Sequence, residues 1–193
     1  AALRAAGAAV AGVDSVMKGE TSTVFCAVRP PGHHATADAA MGFCLINSVA
    51  VAAAYALDRH GLERVAIVDF DVHHGNGTQA IFYNEPRVAY FSTHESGIYP
   101  FTGSPYERGV GNVLNALLPP GTGGFRFRNV WLDSMLPALD AFRPQLLLIS
   151  AGFDAHMRDP LADLMLETED FGWLTRELRT IATRHASGRI VSM

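Results

Sequence analysis

Six short runs of this chain are almost wholly apolar, and stretches with helical periodicity separate most of them. The runs are Thr23–Val28, Arg64–Phe70, Val88–Thr93, Val113–Leu117, Leu146–Ser150 and Arg189–Ser192. The helical patterns cover Leu3–Lys18, Ile46–His60, Phe125–Phe142 and Glu169–His185. A strand with one wet face alternates polar and apolar residues, whereas a strand covered on both faces does not. The alternation of such strands with helices specifies an α/β fold, a parallel β-sheet with helices on both faces. Helix Ile46–His60 carries Asn47-Ser48 at its start, where such side chains cap, and stops before Gly61, which suits a left-handed C-terminal cap. With 193 residues, 49% of them hydrophobic, the chain has the size of one domain with a real core.

Composition removes several function classes. The net charge of −4 is spread along the chain and offers no basic face to nucleic acid. No apolar run approaches the roughly 20 residues that cross a bilayer. The Ala-rich opening, residues 1–19, lacks the basic start and continuous apolar block of a signal peptide. Cys26 and Cys44 have no zinc-knuckle or redox spacing and read as buried, reduced thiols of a cytoplasmic protein. The sequence starts without Met and stops on the strand-like RIVSM, so the expectation is an internal piece of a longer protein, cut at both ends.

Parallel sheets bind ligands beyond the carboxyl ends of their strands. Three segments bring unusual polar residues there: RPPGHHA with His33 and His34, VDFDVHHGNG (68–77), and SAGFDAH with Asp154. If the second strand persists, Asp69, Asp71 and His73 share one face. Carboxylate and imidazole two residues apart can then reach one borderline cation such as zinc. A third ligand is needed. Asp154 is the best candidate, with His94 and His156 in competition, and spacing alone does not rank them.

His33 and His34 follow Pro30-Pro31-Gly32, a stiff turn, and titrate near neutrality, as an acid/base pair must. Asp69 and Asn76 can each accept a hydrogen bond from the far nitrogen of such a histidine and fix its tautomer. Gly75 and Gly77 let the backbone turn tightly beside them. Other features are structural. Trp131, Leu132, Met135 and Leu139 read as core, as do Phe171, Leu174 and Leu178. GTGGF (121–125) reads as a turn rather than a phosphate loop, and Glu107 and Arg108 read as solvated.

Five motifs in order, RPPGHHA, GFCLINSVAVAA, VDFDVHHGNGTQ, FSTHESGIYP and LLLISAGFDAHMRDPLA, resemble the zinc-dependent histone deacetylases and acetylpolyamine amidohydrolases. The wording is closer to class II and bacterial members, and the resemblance runs from about Val24 to the last residue. It implies an arginase/deacetylase-like fold in which Asp71, His73 and Asp154 hold zinc (Zn2+, with Fe2+ an alternative in the cell). It implies that His33 and His34 act as the acid/base pair, backed by Asp69 and Asn76. Class I relatives have an acid at the latter position, so the amide should make His34 less basic. Phe43 and Tyr99 match the aromatic walls of a narrow acyl-lysine tunnel, with Leu161 at its rim. Ser92 and the backbone of Asp69, Asp71 and His73 match a structural monovalent-cation site, often K+.

The implied reaction is hydrolysis of an acetyl-amide on an acetylated protein, polyamine or small molecule. The resemblance names neither the substrate nor the oligomeric state, and it implies no nucleic-acid or membrane partner. The family's Gly-Gly-Tyr loop and N-terminal segment are absent from these residues, so the piece alone is expected to be poorly active. Two rivals compete: a non-catalytic acyl-lysine or metal-binding module of the same fold, and an arginase-like binuclear hydrolase. Asn76 argues against the second, because a second metal ion needs more carboxylates.

Overall fold

A computed structural model describes residues 1–193. Helix α1 (Ala2–Met17) precedes β1 (Thr23–Phe25), and α2 (Ser48–Arg59) precedes β2 (Val65–Asp69). Then come α3 (Asn76–Phe82), β3 (Val88–Glu95) and β4 (Val113–Leu118). Helices α4 (Gly124–Val130) and α5 (Leu136–Phe142) are joined by a wide π turn, Trp131–Met135. Strand β5 (Leu146–Ser150), α6 (Thr168–His185) and β6 (Ile190–Ser192) complete the chain. The strands form one sheet in the order β1-β6-β5-β2-β3-β4, with every neighbouring pair parallel.

The uniform apolarity of the runs is explained by two cores, one on each face of the sheet. Val65, Ile67, Leu146 and Leu148 point to the side of α1 and α2 and pack with Ala9, Val13, Val49 and Ala53. Ala66, Val68, Leu147 and Ile149 point to the other side and pack with Trp131, Leu139, Leu174 and Leu178. Each fully buried Leu, Ile or Val contributes about 1.5–3 kcal/mol of transfer free energy. No helix is long and apolar enough to cross a membrane.

Several boundaries differ from the sequence expectation. Strand β1 stops at Phe25, short of Val28, because Arg29-Pro30-Pro31 turns the chain and the prolines carry no N–H. Helix α2 starts at Ser48, two residues late, because Asn47 is its cap and its Oδ1 accepts from Ala50 N at 3.1 Å. Gly61 comes after the helix with φ 64°. Helix α3 is not expected from the sequence, since seven residues carry too little periodicity. Leu132 is not core: it is 50% exposed, on the outer side of the wide turn, while Trp131, Met135 and Leu139 are buried.

Candidate metal and acid–base site

Strand β2 ends on Asp69, which lies in register with Ser92 of β3 and Ser150 of β5. Beyond it the chain leaves the sheet, so a loop rather than strand alternation delivers Asp71 and His73. Two side-chain-to-backbone bonds hold that loop. Asp71 Oδ1 accepts from His73 N at 2.8 Å, and Asp154 Oδ1 accepts from Val72 N at 3.0 Å. Asp154 lies just past β5, the central neighbour of β2, so sheet topology brings the two loops together.

One ligand atom from each of Asp71, His73 and Asp154 lies within 4.8 Å of the others. His73 Nδ1 is 3.1 Å from Asp71 Oδ1 and 3.0 Å from Asp154 Oδ2. One N–H cannot serve two carboxylates well, whereas a divalent cation can. Ligands about 2.0 Å from a tetrahedral zinc lie roughly 3.3 Å apart, close to these separations. The residues therefore fit a metal of this class. With protons alone, the bond to Asp154 and then that to Asp71 raise the His73 pKa to about 10, against burial. His94 and His156 do not join the group. His94 is bonded to Ser92 Oγ and Gly103 O, and His156 accepts from Arg158 N and stacks on Phe171.

The two imidazoles sit against this cluster, with ring centroids 4.0 Å apart. His33 Nδ1 donates to Asp69 Oδ2 at 2.9 Å, and His34 Nδ1 donates to Asn76 Oδ1 at 2.8 Å. Both bonds fix the proton on Nδ1 and leave Nε2 free to act. Their charges differ. With protons alone, burial opposes the charge of His33, but the carboxylates of Asp69 and Asp71 outweigh it and raise its pKa to about 9. Burial, then the neighbouring His33, lowers His34 to about 4 despite the Asn76 bond. The pair therefore holds one proton-rich and one proton-poor imidazole, the asymmetry that acid/base chemistry uses.

Two glycines make this packing possible. A Cβ on Gly75 would overlap Asp69 Oδ2 and the Tyr90 hydroxyl, and one on Gly77 would overlap the carbonyl of Ala35. Helix α3 therefore starts flush against the His33–His34 turn, tied to it by Thr78 N donating to His33 O at 3.1 Å. Asn47 strengthens the tie, since its Nδ2 donates to Ala35 O and to Thr78 Oγ1.

Tyr99 lies edge-on to His34 with centroids 5.1 Å apart. Phe43 and Leu161 stand out from the surface, 92% and 72% exposed. Phe43 holds φ 62°, a left-handed conformation that costs an aromatic residue energy. Ser92 is fully buried beside Asp69, and its hydroxyl donates to His94 Nδ1 at 2.9 Å, because His94 Nε2 must donate to the Gly103 carbonyl.

The sequence family described as the histone deacetylase domain matches residues 1–193. The chain belongs to the histone deacetylase family. It is 46% identical over 191 residues to the histone deacetylase-like amidohydrolase of Pseudomonas aeruginosa, covering 96% of this chain and 50% of that protein. A probable deacetylase of Archaeoglobus fulgidus is 41% identical over 196 residues, which is 100% of this chain and 54% of that one. The crystal structure of the HDA15 HD domain superposes with a TM-score of 0.90 at 37% identity, covering 97% of this chain and 54% of that one. This histone deacetylase family chain thus spans about half the length of the relatives it matches.

Some residues of this family member's site escape sequence reasoning. Tyr90 is fully buried, donates its hydroxyl to Asp69 Oδ2 at 3.1 Å and accepts from Gly75 N at 3.1 Å. The signal was the polar alternation Tyr90, Ser92, His94 on one face of an otherwise apolar strand. Glu107 is not simply solvated: its Oε2 accepts from Gln79 Nε2 at 2.6 Å, and Gln79 Oε1 accepts from His74 Nε2 at 2.9 Å.

Proposed function

We propose that the protein of which these residues are part hydrolyses an acetyl-amide of the acetyl-lysine or acetylpolyamine type. One observation carries the reading. A carboxylate–imidazole–carboxylate group suited to a divalent ion lies against two histidines whose Nδ1 atoms are both committed, one to Asp69 and one to Asn76. Asp71, His73 and Asp154 would hold the ion, zinc or iron(II), which when bound polarises the amide carbonyl and acidifies water.

The protein's own groups do the rest. Neutral His34 offers Nε2 as a base, and its low basicity arises from burial and from the neighbouring His33, with Asn76 holding its Nδ1 proton. His33, held through Nδ1 by Asp69, supplies a proton to the departing amine. Tyr99 and Phe43 flank a straight apolar stem, with Leu161 at the rim. The backbone around Asp69, Asp71 and His73, with Ser92, holds a monovalent cation of the K+ type. The resemblance calls for a tyrosine oxyanion donor that these residues do not supply. One such donor is worth on the order of 10²–10³ in rate, so the 193 residues alone are expected to turn over weakly. Buried, free Cys26 and Cys44 support a cytoplasmic setting.

The test uses the longest natural polypeptide carrying these residues, loaded with zinc, and an acetyl-lysine peptide and an acetylpolyamine as substrates. About one zinc per chain, lost in Asp71→Ala, and turnover that falls at least 100-fold in His34→Ala are expected. Metal binding without turnover, unaffected by His34→Ala, would favour a binding module. An arginase-like binuclear centre would instead bind two ions per chain.

A further inference from the structure

The last two residues of β3 face opposite ways, because successive side chains in a strand alternate. His94 turns to one side, where its Nε2 donates to Gly103 O at 3.1 Å. Gly103 belongs to the loop that carries Tyr99, and Thr102 of that loop is bonded to His74 at 2.7 Å. Glu95 turns to the other side. It is 3% exposed, and its Oε2 accepts from the backbone N–H of Asp163 at 2.8 Å. Asp163 lies two residues beyond Leu161, and its carbonyl accepts from Gly121 N at 2.8 Å. The backbone of Glu95 reaches the metal loop as well. Its N–H donates to Val72 O at 2.8 Å, and Val72 N–H donates to Asp154 Oδ1 at 3.0 Å. One strand end therefore touches the metal loop and two of the three loops assigned to the tunnel, those of Tyr99 and Leu161.

Glu95 is costly for mere packing. Its second oxygen, Oε1, is buried without a partner, and an orphaned buried carboxylate oxygen is destabilising. An apolar residue would fill the same space without that penalty but would leave the Asp163 amide unheld. The Leu161 segment has other ties, among them the Gly121 N–H on Asp163 O and the buried Leu164 side chain, but none of them holds the Asp163 amide. Leu161 itself is 72% exposed, and its N–H is satisfied locally by Asp159 Oδ1 at 2.9 Å.

We propose that Glu95 is a positioning residue for the substrate tunnel: it holds the Leu161 loop at a fixed distance from the Tyr99 loop, which His94 holds from the opposite face of β3. The tunnel itself rests on the deacetylase reading above. Glu95 touches neither metal ligand nor reacting atoms, so its loss widens the rim and weakens substrate binding while the chemical step is spared. The carboxylate acts as an acceptor, so an amide in its place retains the function.

Three variants, Glu95→Ala, Glu95→Asp and Glu95→Gln, are compared in the longest natural polypeptide carrying these residues. Zinc per chain, KM and kcat for an acetyl-lysine peptide, and amide hydrogen exchange are measured. Glu95→Ala is expected to raise KM about fivefold or more, to leave kcat within about twofold and zinc unchanged, and to speed exchange across residues 157–164 but not 98–104. Glu95→Asp keeps the charge but falls one methylene short of the Asp163 amide, so it behaves like Ala and carries the test if Ala does not fold. Glu95→Gln stays near the unsubstituted protein. Unchanged KM in Ala and Asp, equal effects in all three variants, or loss of zinc would each overturn the role of Glu95. An unsubstituted protein that protects 157–164 yet never turns the peptide over would overturn the deacetylase reading, and the tunnel with it, leaving the Glu95–Asp163 anchor as an observed exchange effect.

Discussion

Tyr90→Phe removes one oxygen from a fully buried ring and leaves the shape of the core intact, so its effect isolates two hydrogen bonds. The hydroxyl donates to the Asp69 carboxylate at 3.1 Å, and a bond to a charged acceptor is worth about 1.5–3 kcal/mol. It also accepts from Gly75 N at 3.1 Å, and an orphaned buried N–H costs about 1–3 kcal/mol. Asp69 keeps His33 at 2.9 Å and the longer bond from Asp71 N at 3.3 Å, which softens the first loss. The expected destabilisation is about 2–4 kcal/mol, drawn from the lower half of those ranges. With a urea m-value of about 2 kcal/mol per molar, the midpoint falls by about 1–2 M. Urea unfolding monitored by circular dichroism measures it, with Tyr106→Phe, 90% exposed, as the control that should not move. A shift below about 0.3 M at unchanged m would refute the idea that this hydroxyl braces the Asp69 end of β2.

Three further substitutions and probes have defined outcomes. Gly77→Ala drives a methyl group into the Ala35 carbonyl and is expected to cost about 1–3 kcal/mol and to displace the His33–His34 turn, read as lost turnover together with a lowered urea midpoint. Asp140 lies 2.9 Å from His185 Nε2, and that bond is the largest influence lowering its pKa. Its stabilising contribution is therefore full above the ordinary carboxylate range and lost as pH falls through the lowered value. The stability gap to Asp140→Asn, a few tenths of a kcal/mol because the pair is solvent-screened, should close in acid titrations of unfolding as pH falls below the ordinary carboxylate range. Cys26 and Cys44, both buried with thiol pKa values pushed up by burial, should resist a water-soluble disulfide reagent in the native protein and react at once in denaturant.

The α/β class was legible because burial on both faces leaves a direct imprint: Leu146–Ser150 and Val65–Asp69 have no polar alternation to hide. The strand ends were legible for the same reason, since Asp69 and Asp154 interrupt apolar runs. The route of the chain between them was not. Period-two reasoning put Asp71 and His73 on a continuing strand, but the sheet ends at Asp69, and side-chain bonds to Val72 N and His73 N shape the loop beyond it. Local spacing carries no trace of a bond to Asp154, which lies far along the sequence.

Leu132 failed for a different reason. The buried positions Phe127, Trp131, Met135 and Leu139 repeat every four residues. On an α-helix with 3.6 residues per turn that spacing drifts about 40° per step. The wide turn Trp131–Met135 absorbs the drift, keeps the four in line and turns Leu132 outward.

The strand order has a consequence for how the polypeptide is made. Within these residues strand β1 bonds only to β6, with Thr23 opposite Ile190, so the two partners lie far apart in sequence. On a ribosome β1 emerges before β6, and its edge and Phe25 wait for every residue between them before that partner exists. Closure of this side of the sheet is therefore a late event, one that has to wait until β6 has been made.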